Sequence, residues 1–208
     1  MKEKHLEMEL DYLTEMMSIG AGNAATALEQ LLHRKIDLKV PSVKILSPMT
    51  ATEVLGQPGM IVSCVVSGML GDVTGDIFFV VQDGYRTDIL NIIMESYPGS
   101  DKKSIELQQS MLTEVANIIC GVFLTAVHDF CKLNIYHTVP FLATDMFQSI
   151  MDESIAKASI KSNELLLIEC KFIISEKNIK AHLIIIPSPE SIRKMMDSMQ
   201  AARKAMEK

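Results

Sequence analysis

Residues 13–28 read LTEMMSIGAGNAATAL, and residues 112–127 read LTEVANIICGVFLTAV. When the second stretch is set under the first at an offset of 99 residues, seven of the sixteen positions are identical. The same offset superimposes the Val-Pro dipeptide at 40–41 on the one at 139–140, with no gap between them. A constant offset over this distance indicates an internal duplication, and a repeat of this kind determines the whole architecture.

The segments after the two stretches predict the same succession of elements. Alternating apolar and polar residues predict strands, apolar runs around a turn predict hairpins, and apolar residues three and four apart predict helices. In the first repeat these are a strand at 35–46, a hairpin of 60–70 with 75–81, and a helix at 85–97. In the second they are a strand at 133–142, an inserted helix at 144–159, a hairpin of 165–174 with 179–186 that turns at 176–178, and a helix starting at Pro189 with Ser188 as its N-cap.

The duplicated unit of helix, three strands and helix predicts an α+β fold. A three-stranded sheet with two helices buries little apolar surface by itself. The units, about 8–98 and 105–208, are therefore expected to join their strands into one mostly antiparallel sheet about a pseudo-two-fold axis. Residues 1–208 should form a single domain, and a cut at the turn-rich linker 98–103 should not give two stable parts.

The composition limits the classes of partner. The chain has 208 residues, 48% of them hydrophobic and 22% charged, with a net charge of -6. An acidic chain argues against nucleic acid and anionic membranes, which attract basic surfaces. The N-terminus is too acidic for a signal peptide, and no run approaches the roughly 18 uninterrupted apolar residues of a membrane span. We expect a cytoplasmic protein without membrane insertion.

Most other motifs carry little chemistry. The cysteines lie apart without a Cys-x-x-Cys pair, which predicts buried free thiols: Cys64, Cys120, Cys131 and Cys170. The five histidines show no ligand spacing, so no metal site is predicted. The segment 20–25 imitates a dinucleotide fingerprint, but no strand precedes it. Asp72 and Asp76 flank a hairpin turn, where solvated carboxylates are common.

Both repeated helices carry a polar strip whose members are three and four residues apart and therefore share one face. In the first helix the strip is Asp11, Glu15, Ser18 and Gly22, then Thr26 or Glu29. In the second it is Ser110, Glu114, Asn117 and Gly121, then Thr125 or His128. Glycine inside a helix costs roughly 1 kcal/mol relative to alanine, which favours a close approach of another backbone or a partner there. A polar face is also what any amphipathic helix presents, and duplication preserves structure as readily as function.

The strips and the Val-Pro dipeptides together resemble the motif of the CheC/CheX/FliY family of CheY-phosphate phosphatases, and CheC most closely. The motif is Asp or Ser, three residues, Glu, two residues, Asn, then 22 residues and Pro, and the second copy matches it throughout with Ser110, Glu114, Asn117 and Pro140. The first copy matches with Asp11, Glu15 and Pro41 but has Ser18 in place of Asn. Asp145-Met146, placed in the inserted helix, also resembles CheC.

The resemblance implies an enzyme that hydrolyses the aspartyl phosphate of CheY. The CheY pocket is expected to supply Mg²⁺ and a lysine, so the enzyme needs no cofactor of its own and has only to orient a water molecule. By resemblance, Asn117 holds this water and Glu114 pairs with the CheY lysine. Glu15 and Ser18 form a weakened or docking-only site. The likeness to CheC also implies the deamidase CheD as a partner.

A non-catalytic adaptor of the same fold is the alternative. Such a protein would regulate CheD or belong to the flagellar switch. The departure from the motif at Ser18 favours the adaptor, whereas the intact pair of Glu114 and Asn117 favours the enzyme.

Overall fold

The structure is a computed structural model that describes residues 2–47, 50, 53, 59–95, 104–159, 165–174 and 177–206. The predicted linker at 98–103 lies outside them. Within the described residues the helices are α1 (Lys2–Leu32), α2 (Asp83–Glu95), α3 (Ile105–Cys131), α4 (Phe147–Ser159) and α5 (Pro189–Met206). The strands are β1 (Ile36–Leu46), β2 (Ile61–Gly71), β3 (Gly75–Gln82), β4 (Ile135–His137), β5 (Phe141–Met146), β6 (Leu165–Ile174) and β7 (Lys177–Pro187).

One antiparallel sheet contains the strands of both repeats. Its order is β1-β6-β7-β3-β2, and β4 and β5 follow one another along the outer edge of β2. If β4 and β5 are taken as one interrupted strand, the order is symmetric under exchange of the two repeats. The first strand of each repeat pairs with the hairpin of the other, β1 with β6 and β5 with β2. The predicted α+β fold, with one pseudo-two-fold antiparallel sheet, is confirmed.

The Val-Pro dipeptides interrupt both edge strands at the same position of the repeat. The register of β1 against β6 shifts between Lys39 and Ser42. In the second repeat β4 ends at His137 and β5 begins at Phe141. Proline has no N–H to donate to a ladder, so it is tolerated at a sheet edge and breaks the pairing there. The prediction of one continuous strand at 133–142 is therefore wrong.

The predicted helix at 144–159 begins later than expected. Asp145 and Met146 lie in β5, which pairs with β2 over its whole length. Helix α4 begins only at Phe147. The helical spacing of apolar residues suggested that the helix begins at residue 144. Pairing with β2 instead continues strand β5 as far as Met146.

Two further details of the second repeat differ from the prediction. Residues 47–60 connect β1 to β2 in the first repeat, and residues 147–164 connect β5 to β6 in the second, so the second connection is longer by four residues and not by a whole helix. The turn between β6 and β7 was predicted at 176–178. Lys177 and Asn178 instead pair with β6, so β7 already begins at Lys177.

The sheet separates two apolar cores. Helices α1, α2, α3 and α5 cover one face, and α4 packs on the other. Strand β3 shows the alternation that this requires: Ile77 and Phe79 belong to the first core, Phe78 and Val80 to the second, and all four are buried. Because α1 and α3 lie in the larger core, their apolar sides face the sheet and their polar strips face outward.

Helices α1 and α3 pack against each other in antiparallel orientation. A Cβ added to Gly20 of α1 would lie 3.0 Å from the Cβ of Ala126 in α3. Leu28 of α1 lines a small apolar cavity together with Val115 of α3. Residue numbers therefore increase in opposite directions along the two helices. The close approach of another backbone that the sequence predicted at Gly22 is found at Gly20 instead, since nothing in the described chain lies within 4 Å of a Cβ at Gly22. The approach of a partner at Gly22 stays a prediction.

Helix α3 is long and apolar enough between Ile105 and Asp129 to span a membrane by length and composition alone. The expectation that no stretch approaches a membrane span therefore holds only for uninterrupted apolar runs. In this structure α3 is a core helix, with Leu112, Ile119 and Phe123 buried among the other elements. Burial of that side accounts for its apolar composition.

We predict that residues 1–98 and 105–208, expressed separately, do not fold. Each half would lack the partner of its edge strand, because β1 pairs with β6 and β5 pairs with β2. Circular dichroism and ¹H–¹⁵N spectra of each half should be those of an unfolded or aggregated chain, and mixing the halves should recover the spectrum of the intact chain. Cooperative unfolding of either half alone would contradict this.

The buried thiols give a prediction for alkaline pH. Cys64, Cys120 and Cys131 are free and buried, as expected, while the side chain of Cys170 lies outside the described part. Burial raises the pKa of Cys120 from 9.0 to about 12. The protonated thiol therefore stabilises the fold fully below pH 9, and this contribution is lost as the pH rises toward 12.

Between pH 9 and pH 12, ionisation of the Cys120 thiol should lower the free energy of unfolding by about 1.4 kcal/mol per pH unit. Urea denaturation of Cys120→Ala should show a correspondingly shallower decline above pH 9 than the wild type, and the same slope as the wild type near pH 7. Equal slopes for the two proteins above pH 9 would show that Cys120 is not buried as described.

Candidate active site on helix α3

The two polar strips lie on the solvent side of the helix pair. Of the six helical side chains at the motif positions, five are exposed: Asp11, Glu15, Ser18, Ser110 and Glu114. Asn117 is half-buried, and the next residues around the helix, Val115 and Ala116, are buried in the core. The core thus fixes the rotation of α3 about its axis, and with it the direction in which Glu114 and Asn117 point.

Glu114 and Asn117 have no partner within the described part of the chain. Neither the carboxylate nor the amide makes a hydrogen bond or an ion pair with another described residue. An amide offers two N–H donors and an acceptor oxygen, and a carboxylate offers acceptors and a negative charge. Both side chains are therefore available to groups of a second molecule.

Ser18 differs from Asn117 in more than length. Its hydroxyl donates a hydrogen bond of 2.8 Å to the main-chain oxygen of Thr14, four residues earlier in α1. A hydroxyl that bonds to the preceding turn points back along its own helix, and its proton is not available to a water or a partner. The first strip thus presents Glu15 to solvent without a neighbouring amide.

The helix backbones around the two strips are equivalent. Four threonines donate to the carbonyl four residues earlier, at 2.8 to 3.1 Å: Thr14, Thr26, Thr113 and Thr125. They form two pairs at the repeat offset. Thr26 and Thr125, which the sequence placed at the ends of the strips, have their hydroxyl protons committed to their own helices.

The two strips lie toward opposite ends of the helix pair. The contact of Gly20 with Ala126 places Glu15 and Ser18 near the C-terminal end of α3, whereas Glu114 and Asn117 belong to the N-terminal half of that helix. With a rise of 1.5 Å per residue, the pairs Glu15–Ser18 and Glu114–Asn117 are roughly 20 Å apart along the axes. The structure therefore does not bring the two pairs together into one site.

The two motif prolines lie in the sheet rather than on the helices. Pro140 is half-buried in the gap between β4 and β5, and Pro41 is at the register shift of β1. The side chain of Pro41 lies outside the description. Their shared position at an edge-strand break assigns both of them to the architecture of the sheet.

Other polar residues that the sequence singled out have structural partners. Asp72 accepts a hydrogen bond of 2.9 Å from the main-chain N–H of Asn134, and Asp76 accepts one of 2.7 Å from Ser154. The ring of His128 bonds at 2.8 Å to a main-chain oxygen beyond the end of α3. No group of three or more possible metal ligands occurs among the residues described.

One side chain beside the α3 strip could not be recognised from residue spacing, that of His137 in β4. A Cβ added to Gly121 would lie 3.5 Å from Nε2 of this histidine. The repeat held the signal, because the residue at the same offset in the first half is Leu38, which is buried. A histidine in place of a core leucine marks a position where the two halves differ.

The fold is that of flagellar switch and chemotaxis proteins. The crystal structure of FliY from Thermotoga maritima matches with a TM-score of 0.71 and 19% identity, covering 94% of this chain and 97% of that one. FliM of H. pylori, in its complex with FliG, matches with a TM-score of 0.64 and 9% identity, covering 91% and 98%. At these identities the likeness concerns the fold alone.

Sequence comparison identifies the family. The model of the CheC-like family matches residues 8–45 and 107–143, one segment in each repeat and each containing one of the strips. The CheY-P phosphatase CheC of Bacillus subtilis (strain 168) is 30% identical over 201 residues, which are 94% of this chain and 96% of that protein. The chain belongs to the CheC-like family.

Proposed function

We propose that this protein is a chemotaxis phosphatase that hydrolyses the aspartyl phosphate of CheY at the α3 strip. The observation that carries the proposal is the presentation of Glu114 and Asn117 together, one turn apart and without partners among the described residues. The Bacillus subtilis relative is named as a CheY-P phosphatase, which supports phosphorylated CheY as the substrate. The family motif supports the choice of residues.

Asn117 is proposed to orient the attacking water. The water oxygen bonds to phosphorus, the bond from phosphorus to the aspartyl oxygen breaks, and the water proton passes to the released phosphate. The amide accepts from the water and donates to a phosphoryl oxygen without adding a negative charge that would repel it. Such positioning supplies much of the catalysis of phosphoryl transfer, so no nucleophile on this chain is required. The expected Mg²⁺ belongs to CheY.

Glu114 is proposed to dock CheY. By the resemblance, its carboxylate pairs with the lysine of the CheY pocket. Because Asn117 follows three residues later on the same face, an ion pair at Glu114 brings the amide to a fixed distance from the phosphoryl group. The exposed carboxylate contributes by orientation more than by energy, since exposed ion pairs contribute at most about 1 kcal/mol.

The first strip is proposed to dock CheY without hydrolysing its phosphate. Glu15 retains the carboxylate, but the Ser18 hydroxyl is directed to Thr14. The adaptor alternative rests on this strip, and it becomes the better description if the α3 strip proves inactive. A cytoplasmic location and CheD as a second partner are part of the proposal, on the likeness to CheC alone.

The proposal is tested by phosphate release from phosphorylated CheY in the presence of Mg²⁺. Catalytic amounts of the purified chain should raise the rate above that of CheY alone, and every CheY molecule present should be turned over. Stoichiometric binding of CheY without any increase in rate would identify an adaptor.

Ser18→Asn should convert the first strip into a second active one. The equivalent hydrogen bonds of Thr14 and Thr113 support a similar presentation of residues 18 and 117. If the two sites act independently, the gain in an otherwise wild-type chain is at most about twofold. In an Asn117→Ala background the same change should restore measurable hydrolysis, and Ser18→Ala, which cannot hold water, serves as its control. Absence of rescue, with CheY bound at α1, would show that α1 lacks another part of the active surface.

A further inference from the structure

His137 lies beside the α3 strip only in the second repeat. Its strand β4 pairs with β2, where Met69 is opposite, so the ring lies on the face of the sheet that α3 covers. The ring stands next to Gly121, one helical turn beyond Asn117 on the polar strip. The first repeat has buried Leu38 at the equivalent position and therefore no imidazole beside Glu15 and its neighbours.

The hydrogen bond of the ring fixes which nitrogen carries the proton. Nδ1 lies 3.1 Å from the main-chain oxygen of Thr138. A carbonyl oxygen only accepts, so Nδ1 is the donor and Nε2 of the neutral ring carries the lone pair. The half-buried ring thus presents an oriented acceptor at the edge of the strip.

We infer that His137 is a positioning residue for phosphorylated CheY at the α3 site. Its Nε2 accepts a hydrogen bond from a donor of CheY, a hydroxyl or a main-chain N–H, beside the phosphoryl group. Together with Glu114 it gives CheY two points of attachment, one on each side of Asn117. This inference rests on the proposed function and extends it with a contact that only the second repeat offers.

The directions of the side chains place His137 and the water held by Asn117 at different points along α3. Helical side chains lean toward the N-terminus of their helix, so the Asn117 amide leans toward Glu114 and away from Gly121. The backbones at 117 and 121 are about 6 Å apart along the axis. Nε2 is therefore too far along the helix to share the water held by Asn117. His137 should govern the affinity for phosphorylated CheY, and the rate at saturation should not depend on it.

The same contact accounts for Gly121. A Cβ there would lie at an ordinary contact distance of 3.5 Å from Nε2, so the fold accommodates alanine at this position. The added methyl group would nevertheless cover the edge of the ring. Access to Nε2 thus explains a glycine inside a helix that packing alone does not require.

The test measures kcat and KM for phosphorylated CheY. His137→Leu, which installs the side chain of the first repeat, should raise KM about threefold to tenfold, the effect of one lost hydrogen bond, and leave kcat unchanged. His137→Gln, whose amide oxygen reaches a position near that of Nε2, should restore most of the affinity. An unchanged KM in a folded His137→Leu protein would overturn the inference, as would an equal rise of KM in both variants.

Gly121→Ala gives an independent test that does not alter the histidine. It should raise KM to a similar extent while increasing the thermal stability, because alanine favours the helix. Gly84→Ala in α2 is the control, since open space surrounds that helical position and it lies outside both strips, and it should give a gain in stability with no change in KM. A Gly121→Ala protein with the KM of the wild type would overturn the proposed access to Nε2.

Binding separates failure of this inference from failure of the proposed function. In an Asn117→Ala background, which is expected not to hydrolyse the phosphate, the Kd for phosphorylated CheY is measured with and without His137→Leu. A weaker Kd supports the role of His137 even if the wild type proves not to be a phosphatase. An identical Kd, at measurable affinity, refutes it while the phosphatase proposal stands, and no binding to any variant refutes both.

Discussion

Asn117→Ala is expected to reduce the acceleration of CheY-phosphate hydrolysis about a hundredfold or more. Loss of one oriented hydrogen-bonding group in a phosphoryl or acyl transfer site has effects of this order, because the reacting molecule is then no longer held in line. The amide makes no hydrogen bond within the described chain, so its replacement by methyl costs the reactant its position while the protein loses no hydrogen bond. The effect should lie in kcat, and the affinity for CheY should change little.

The fold of this variant should be unaffected. Asn117 is on the solvent side of α3, and alanine is the better helix former, so the melting temperature should be equal or slightly higher. Asn23→Ala is the control, because Asn23 is an exposed asparagine on the sister helix α1 and has no proposed part in hydrolysis. The control should retain full activity. Hydrolysis at the wild-type rate by Asn117→Ala would show that the catalytic group lies elsewhere.

Charge reversal should affect the two strips unequally. Glu114→Lys should remove nearly all activity, because the attraction for the CheY lysine becomes a repulsion at the point where CheY must dock in register. Like charges directly opposite one another oppose association and also misplace the neighbouring amide. Glu15→Lys makes the same change at an equally exposed position of the first strip and should reduce the rate much less.

The pair is its own control, since both variants carry the same change of net charge. Long-range effects of charge on the encounter with CheY are therefore alike in both. At 0.5 M salt the repulsion is screened, so the KM of Glu114→Lys should move closer to that of the wild type. Equal losses from the two reversals would show that the first strip contributes equally, and that Ser18 can replace the amide.

The repeat made most of the fold predictable from sequence. An offset of 99 residues, with Val-Pro in register, implies equivalent elements, and a small sheet that cannot bury its own face implies joining of the halves. The break between β4 and β5 could not be predicted, because residues 133–142 have strand-like alternation throughout. Only pairing with β2 shows that Pro140 divides the edge strand.

The sequence was sufficient to predict which helix face carries the site and how the residues of the site are spaced. Periodicity placed Glu114 and Asn117 on the solvent side of α3, where the structure has them. It could not show that the Ser18 hydroxyl is directed into its own helix, since the choice among rotamers depends on local geometry. Nor could it bring His137 to Gly121, because that contact joins a strand to a helix through the register of the sheet.

The α3 strip is proposed to accelerate hydrolysis and not only to bind CheY. This proposal is tested most directly by single-turnover decay of phosphorylated CheY at saturating concentrations of this protein, with binding measured in the same samples. Phosphorylated CheY should decay well above its intrinsic rate with the wild-type chain, and at the intrinsic rate with fully bound Asn117→Ala. Decay at the intrinsic rate with the wild-type chain, at demonstrated saturation, would contradict it.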